Sequence, residues 1–196
     1  MPPSRIVPPT ASSREANVRF HLGIPLRWSD FDAYAHVNNA EMFRLLEEAR
    51  IQAFWRPDAR SDGSADISAD ISAAEAEAAD APSTAVLDGR PGAEVMTLIA
   101  RQEIEYLAPI PYMRAPIDIE MWIGRIGGAS LEICYELYSP VGVTPRVLFT
   151  RAATTLVMVT AATGKPQRIS DELRDACSPY LEEPVTFTNR SGRAQH

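Results

Sequence analysis

The spacing of apolar residues changes rhythm along the chain, and each rhythm predicts an element. Val18, Phe20, Leu22 and Ile24 alternate with Arg19, His21 and Gly23, the period of a half-buried strand, and this strand continues towards Trp28. His21 falls on its polar phase, as an exposed or cross-strand residue. Across residues 40–55 (AEMFRLLEEARIQAFW) the period lengthens to that of a helix. Apolar residues recur at 42, 45, 46, 49 and 53, with 43 and 54 alongside, and neither glycine nor proline intervenes. So wide an apolar stripe places the helix at the centre of the fold. On its surface Glu47 shares a face with Phe43 and Arg50, and Glu48 is expected to pair with Arg44 four residues earlier.

Alternation returns from residue 95, in a run at 95–100 that leads into 104–107 and in further runs at 117–123, 131–137 and 147–160. The proline pair Pro109 and Pro111 closes the first of these strands, Gly127-Gly128 signals a hairpin, and 141–145 a longer turn. A short helix is expected at 170–177, with Ser170 as its cap and Leu173 at the third helical place; lacking Glu or Gln there, the capping box is incomplete. Strand, helix and then four long strands predict an α+β domain: an antiparallel sheet wrapped around one long helix. Its expected limits are 17–180. Residues 1–16 hold four of the sixteen prolines and read as a flexible arm, and 181–196 as a C-terminal tail. Between helix and second strand, 56–92 is rich in Ala, Ser and Asp. It reads as a low-complexity insert, a lid or a solvated segment, with a weak alanine-rich helix at 67–81.

The composition (45% hydrophobic, 23% charged over 196 residues) is that of one globular domain with a real core. A net charge of −7 argues against nucleic acid as the main partner. Basic residues number 19, one lysine (Lys165) and 18 arginines, so a polyanionic ligand would need a local arginine cluster. No apolar run reaches membrane-spanning length, and the first residues lack a secretory apolar core, so the expectation is a cytoplasmic protein. Cys134 and Cys177 fit no metal or redox spacing; three histidines argue against a zinc site; Gly-x-Ser-x-Gly, GxGxxG and Walker motifs are absent.

The chemistry-bearing residues gather at 26–39 (LRWSDFDAYAHVNN), a loop between the first strand and the helix. Asn38 and Asn39 are placed to cap the helix, and Asp30 and Asp32 to bond their own turn backbone. The first helical amides, around Asn39 and Ala40, offer a partly positive site for a developing oxyanion.

These residues carry a resemblance. Asp32-x-x-x-His36-Val37-Asn38-Asn39, followed by Leu46-Glu47-Glu48-Ala49-Arg50, resembles the hotdog-fold acyl-thioester hydrolases, among them the 4-hydroxybenzoyl-CoA thioesterase-like and acyl-carrier-protein thioesterases. The resemblance implies a hotdog fold and hydrolysis of acyl-CoA to a fatty or aromatic acid and CoA without a cofactor. It also implies a homodimer or homotetramer with sites at the subunit interface. By the same resemblance Asp32 is nucleophile or general base, His36 orients Asp32 or water, and Asn38 positions the carbonyl or water. Asn39 and Ala40 supply oxyanion amides, and Glu47 is a secondary site candidate. Arg101, Arg125 and Arg151 are candidates for CoA phosphates. Two departures stand out. Tyr34 occupies the place where the plant carrier-protein branch has asparagine, and that branch's second carboxylate finds only Glu105 nearby, which favours a single-aspartate scheme. A hotdog hydratase or dehydratase, and a non-catalytic acyl-CoA-binding module, are the alternatives.

Overall fold

The computed structural model describes residues 18–55, 87 and 92–188. Among the described residues five strands form one antiparallel sheet: β1 (Phe20–Ile24), β2 (Val95–Tyr106), β3 (Ile117–Ile126), β4 (Ser130–Tyr138) and β5 (Leu148–Thr160). Their spatial order is β1-β3-β4-β5-β2, so short β1 and long β2 are the two edges. Helix α1 (Asn39–Phe54) lies on one face, and α2 (Asp171–Cys177) follows β5. The hotdog arrangement expected from the periodicity is therefore present.

Parity builds the core. Along β3 and β4, Ile119, Met121 and Ile123 stand opposite Leu137, Tyr135 and Ile133. All six are buried in one cluster with Met42, Leu45, Leu46, Ala49, Ala53 and Phe54 of α1. These helix residues lie on one face of α1, while Phe43, Arg44, Glu47, Ile51 and Gln52 on the opposite face are exposed. Arg50 is part of this interior at 2% exposure, and donates through Nη1 to Tyr135 Oη at 3.2 Å.

The opposite parity faces outward and is charged. Asp118, Glu120 and Trp122 on β3 stand opposite Tyr138, Glu136 and Cys134 on β4. Arg19 lies over the Trp122 ring and pairs with Glu120, Glu136 and Glu182, while Arg146 pairs with Asp118 and Glu120. Residues 181–188 run across this face: Glu182 N donates to Ile123 O, and Trp122 Nε1 to Glu183 O. Gly124 permits the approach, since a Cβ there would stand 2.7 Å from Cys134 Sγ and 3.2 Å from Pro184 Cα.

Two local expectations are corrected, and that for His21 is met. β1 ends at Ile24 rather than continuing towards Trp28, because Pro25 supplies no ladder N–H and residues Trp28–Asp30 turn into a 3-10 helix. Arg44 pairs with Glu41, three residues before it, and Glu48 instead accepts from Gln52 Nε2. His21 reaches Asp118 across the strands at 3.4 Å while staying 56% exposed. The short helix is as expected: Ser170 Oγ accepts from Leu173 N at 3.2 Å. The arm at 1–16, the helix at 67–81 and nearly all of the 56–92 insert lie outside the described residues. From the insert, Leu87 packs against the core and its amide donates to Phe54 O. No described helix is long and apolar enough to cross a membrane.

Candidate active site

The loop from Pro25 to Asn38 is built by its aspartates. Asp30 is 5% exposed, and its carboxylate accepts Arg27 N at 2.6 Å while its carbonyl accepts Asn38 N at 2.8 Å. It staples the two ends of the loop together, which is the turn role expected for it. Between them Phe31 pairs with Val37, and Asp32 N donates to His36 O at 2.9 Å, making a narrow finger. At its tip Asp32 Oδ1 accepts two amides, Tyr34 N at 2.8 Å and His36 N at 3.2 Å. Ala35 closes the turn at φ +60°, a left-handed conformation that costs a non-glycine residue about 1 kcal/mol. Bonds on both sides hold it there.

Two consequences follow for Asp32. One carboxylate oxygen is committed to the turn, so the side chain is immobilised. The other, Oδ2, has no hydrogen-bond partner among the described residues. The aspartate is half-buried and lines a cavity of about 330 Å³. His36, Val37, Asn39 and Met42 share its wall, and the other wall is residues 106–110, the end of β2 and the turn after it. The walls are joined by Val37 N donating to Ile110 O at 3.0 Å and by pairing of His36 with Pro111. Burial pushes the phenol of Tyr106, on the second wall, above its ordinary pKa.

The remaining sequence candidates divide. Asn38 is the helix N-cap: its Oδ1 accepts Ala40 N at 2.9 Å, so the Ala40 amide is already engaged. Asn39, the first helical residue, lines the cavity, and its amide makes no hydrogen bond among the described residues. The His36 imidazole bonds no described side chain, and Asp32 is oriented instead by the His36 amide. Glu47 is exposed and lies outside the cavity lining. Arg101, Arg125 and Arg151 pair with Glu103, Glu132 and Glu136 and do not line the cavity. Glu105 does not either: Tyr106 faces the cavity, so its neighbour on the strand faces outward, where its Oε1 accepts Thr188 N at 3.0 Å. The wall at 106–110 was missed as a site element. Its sequence signal, Pro109 and Pro111, marks only where a strand stops.

For metals, the described residues offer one cluster, His21, Asp118 and Glu120, with ligand atoms within 4.8 Å. It sits on the outer face of the sheet, and Arg146 already bonds both of its carboxylates.

A family model described as the thioesterase-like superfamily matches residues 26–177, which include the Asp32 finger, α1 and all of β2–β5. Among solved structures, a protein from Pseudomonas aeruginosa strain PAO1 is 24% identical, with 85% of this chain and 94% of that one covered and a TM-score of 0.56. A predicted thioesterase from Bacillus stearothermophilus is 21% identical, with 86% and 100% covered and a TM-score of 0.59. A thioesterase-superfamily protein from Jannaschia sp. CCS1 is 19% identical, with 90% and 99% covered and a TM-score of 0.58. At these identities the likeness is one of fold. No curated protein matches the chain.

Proposed function

The chain belongs to the thioesterase-like superfamily, and from that premise we propose that it hydrolyses an acyl-CoA thioester, with Asp32 at the reacting centre. The observation that carries this reading is the division of labour on one carboxylate. Oδ1 is fixed by two backbone amides and Oδ2 is left unpartnered beside a cavity at the start of α1.

A thioester seated in that cavity puts its carbonyl carbon within reach of Oδ2 and its oxygen towards the helix start. Oδ2 then attacks the carbonyl directly, or takes a proton from a water that does. The negative charge forming on the oxygen is met by the Asn39 N–H and the positive end of α1. Collapse of the tetrahedral intermediate expels the thiolate, which leaves as the free thiol once protonated. On the water route the acid is released in the same step. On the direct route the acyl group stays on Asp32 as a mixed anhydride that a water then hydrolyses to the acid, restoring the carboxylate. Since the Ala40 amide is held by the cap, Asn39 is the oxyanion donor in this scheme, and Asn38 acts through the helix start it caps.

A homodimer completes the proposal. Among the described residues β2 has no partner on its outer side, and Met96, Leu98 and Ile99 are 43–50% exposed on it. Long apolar edges of this kind are normally covered. A second copy added there would lie along the strand that ends in the second cavity wall, placing the site at the interface.

The deciding experiment is thiol release from a panel of acyl-CoAs by the wild type and Asp32→Asn. Asparagine keeps an acceptor for the Tyr34 and His36 amides, so the finger stays folded where alanine would loosen it. The variant should lose kcat about 10²- to 10⁴-fold with little change in KM. Retention of more than a tenth of the rate would remove Asp32 from the chemistry. Tight binding by both proteins without turnover would favour the acyl-CoA-binding module.

A further inference from the structure

A thioester substrate has two ends, and the cavity beside Asp32 accounts for the reacting one. The carrier end must lie outside, where the loop of residues 25–38 meets the turn after β2. On that junction the rings of Trp28 and Tyr112 are stacked, 4.3 Å apart and 14° from parallel, with Phe31 edge-on to Tyr112 at 5.5 Å. Phe31 precedes Asp32, and Pro111, which pairs with His36, precedes Tyr112. The stack therefore adjoins the cavity wall. Trp28 is 75% exposed although one face of its indole rests on Tyr112 and the Phe31 ring stands tilted 6.5 Å away. A stack that served only to pin two loops together would gain by burying both faces.

Charge points the same way. Arg19, Arg44, Arg101, Arg125, Arg146 and Arg151 all form ion pairs. Arg27, next to Trp28, and Arg114, two residues after Tyr112, are exposed and form none among the described residues. Arg168 is likewise unpaired, but it lies at the other end of the sheet, where Ile169 N bonds Gly128 O. A guanidinium without a carboxylate is the one free to take a phosphate.

We propose that Trp28, stacked on Tyr112, is the platform for the purine base of CoA, with Arg27 and Arg114 meeting its phosphates. This rests on the thioesterase reading and deepens it. A carrier protein presents a phosphopantetheine arm but no base to stack, so the platform assigns the substrate to CoA.

The test compares CoA with pantetheine, which lacks the nucleotide, by calorimetric titration of the full-length protein and its Trp28→Ala, Trp28→Phe and Arg27→Ala/Arg114→Ala variants. Oligomeric state is followed by light scattering. Trp28→Ala should weaken CoA roughly 5- to 150-fold, the range for one stacked base. Pantetheine affinity should not follow it, and Trp28→Phe should recover most of the loss. The double arginine variant should flatten the salt dependence of CoA binding. Equal loss for both ligands, no loss for either, or dissociation of the dimer in Trp28→Ala would overturn the platform. Wild type that hydrolyses a carrier-protein thioester but has no affinity for CoA would also overturn it, leaving the hydrolase reading intact. Selective loss of CoA binding in a protein without turnover would keep the platform and sink the hydrolase.

Discussion

At the scale of single residues the site is a set of backbone bonds made by side chains. Asp32 holds Tyr34 and His36, Asp30 holds Arg27, and Asn38 holds Ala40. Removing the last with Asn38→Ala should cost about 1 kcal/mol, read as a lower urea midpoint at unchanged slope. An unchanged midpoint would mean that solvent replaces the cap. The cysteines have the opposite character. Burial pushes the thiols of Cys134 and Cys177 up to about 11, so both stay protonated and unreactive at neutral pH. A thiol-reactive dye at pH 8 should therefore label neither in the native protein and both after denaturation. The signal of a thiol-release assay then comes from product alone. Rapid native labelling would contradict the burial of both.

At the scale of elements, α1 and β2 carry the predictions. Arg50 places a guanidinium in the interface between helix and sheet, with the Tyr135 hydroxyl as its hydrogen-bond acceptor. Tyr135→Phe keeps the ring and removes the acceptor, and should cost about 1–3 kcal/mol because a buried charged donor is left unmet. Equal stability of variant and wild type by denaturant unfolding would show that the bond contributes nothing net. On β2, Leu98→Lys with Ile99→Lys puts like charges along the free edge while leaving the β5 ladder intact. The variant should sediment as a folded monomer and lose hydrolysis together with the dimer. A dimer that survives both lysines would place the interface elsewhere.

At the scale of the molecule, the outer face of the sheet joins distant parts of the chain. Arg19 before β1 and Glu182 after α2 meet over β3 and β4, and Arg146 clamps Asp118 and Glu120 from the β4–β5 turn. Burial would raise the Glu120 carboxyl, but hydrogen bonds from Arg146 and Arg19 outweigh it, and its pKa lies below the ordinary 4.5. A carboxyl depressed in the folded state contributes stability that is fully present above the unfolded value. That stability is lost as pH falls through the folded one. The melting temperature should accordingly start to fall only below about pH 4.5, and the fall should be shallower in Glu120→Gln. Identical acid profiles for the two proteins would assign the acid limit to other carboxylates.

The sequence by itself determined the elements and one loop of the candidate site. Helix α1 and the strands announce themselves through periods of 3.6 and 2, and the Asp32 finger through turn and cap residues, because both depend on neighbours within a few positions. That was enough for the hotdog arrangement and for choosing Asp32, Asn38 and Asn39 as residues of one loop. Tertiary structure alone decided the rest. It brought residues 106–110 across to close the cavity, and strand parity sent Glu105 to the opposite face from Tyr106. It occupied Arg101, Arg125 and Arg151 with carboxylates, and laid residues 181–188 over the charged face. Each of these outcomes turns on which residues meet across the sheet, and register between strands is set by packing of the whole core rather than by any local stretch.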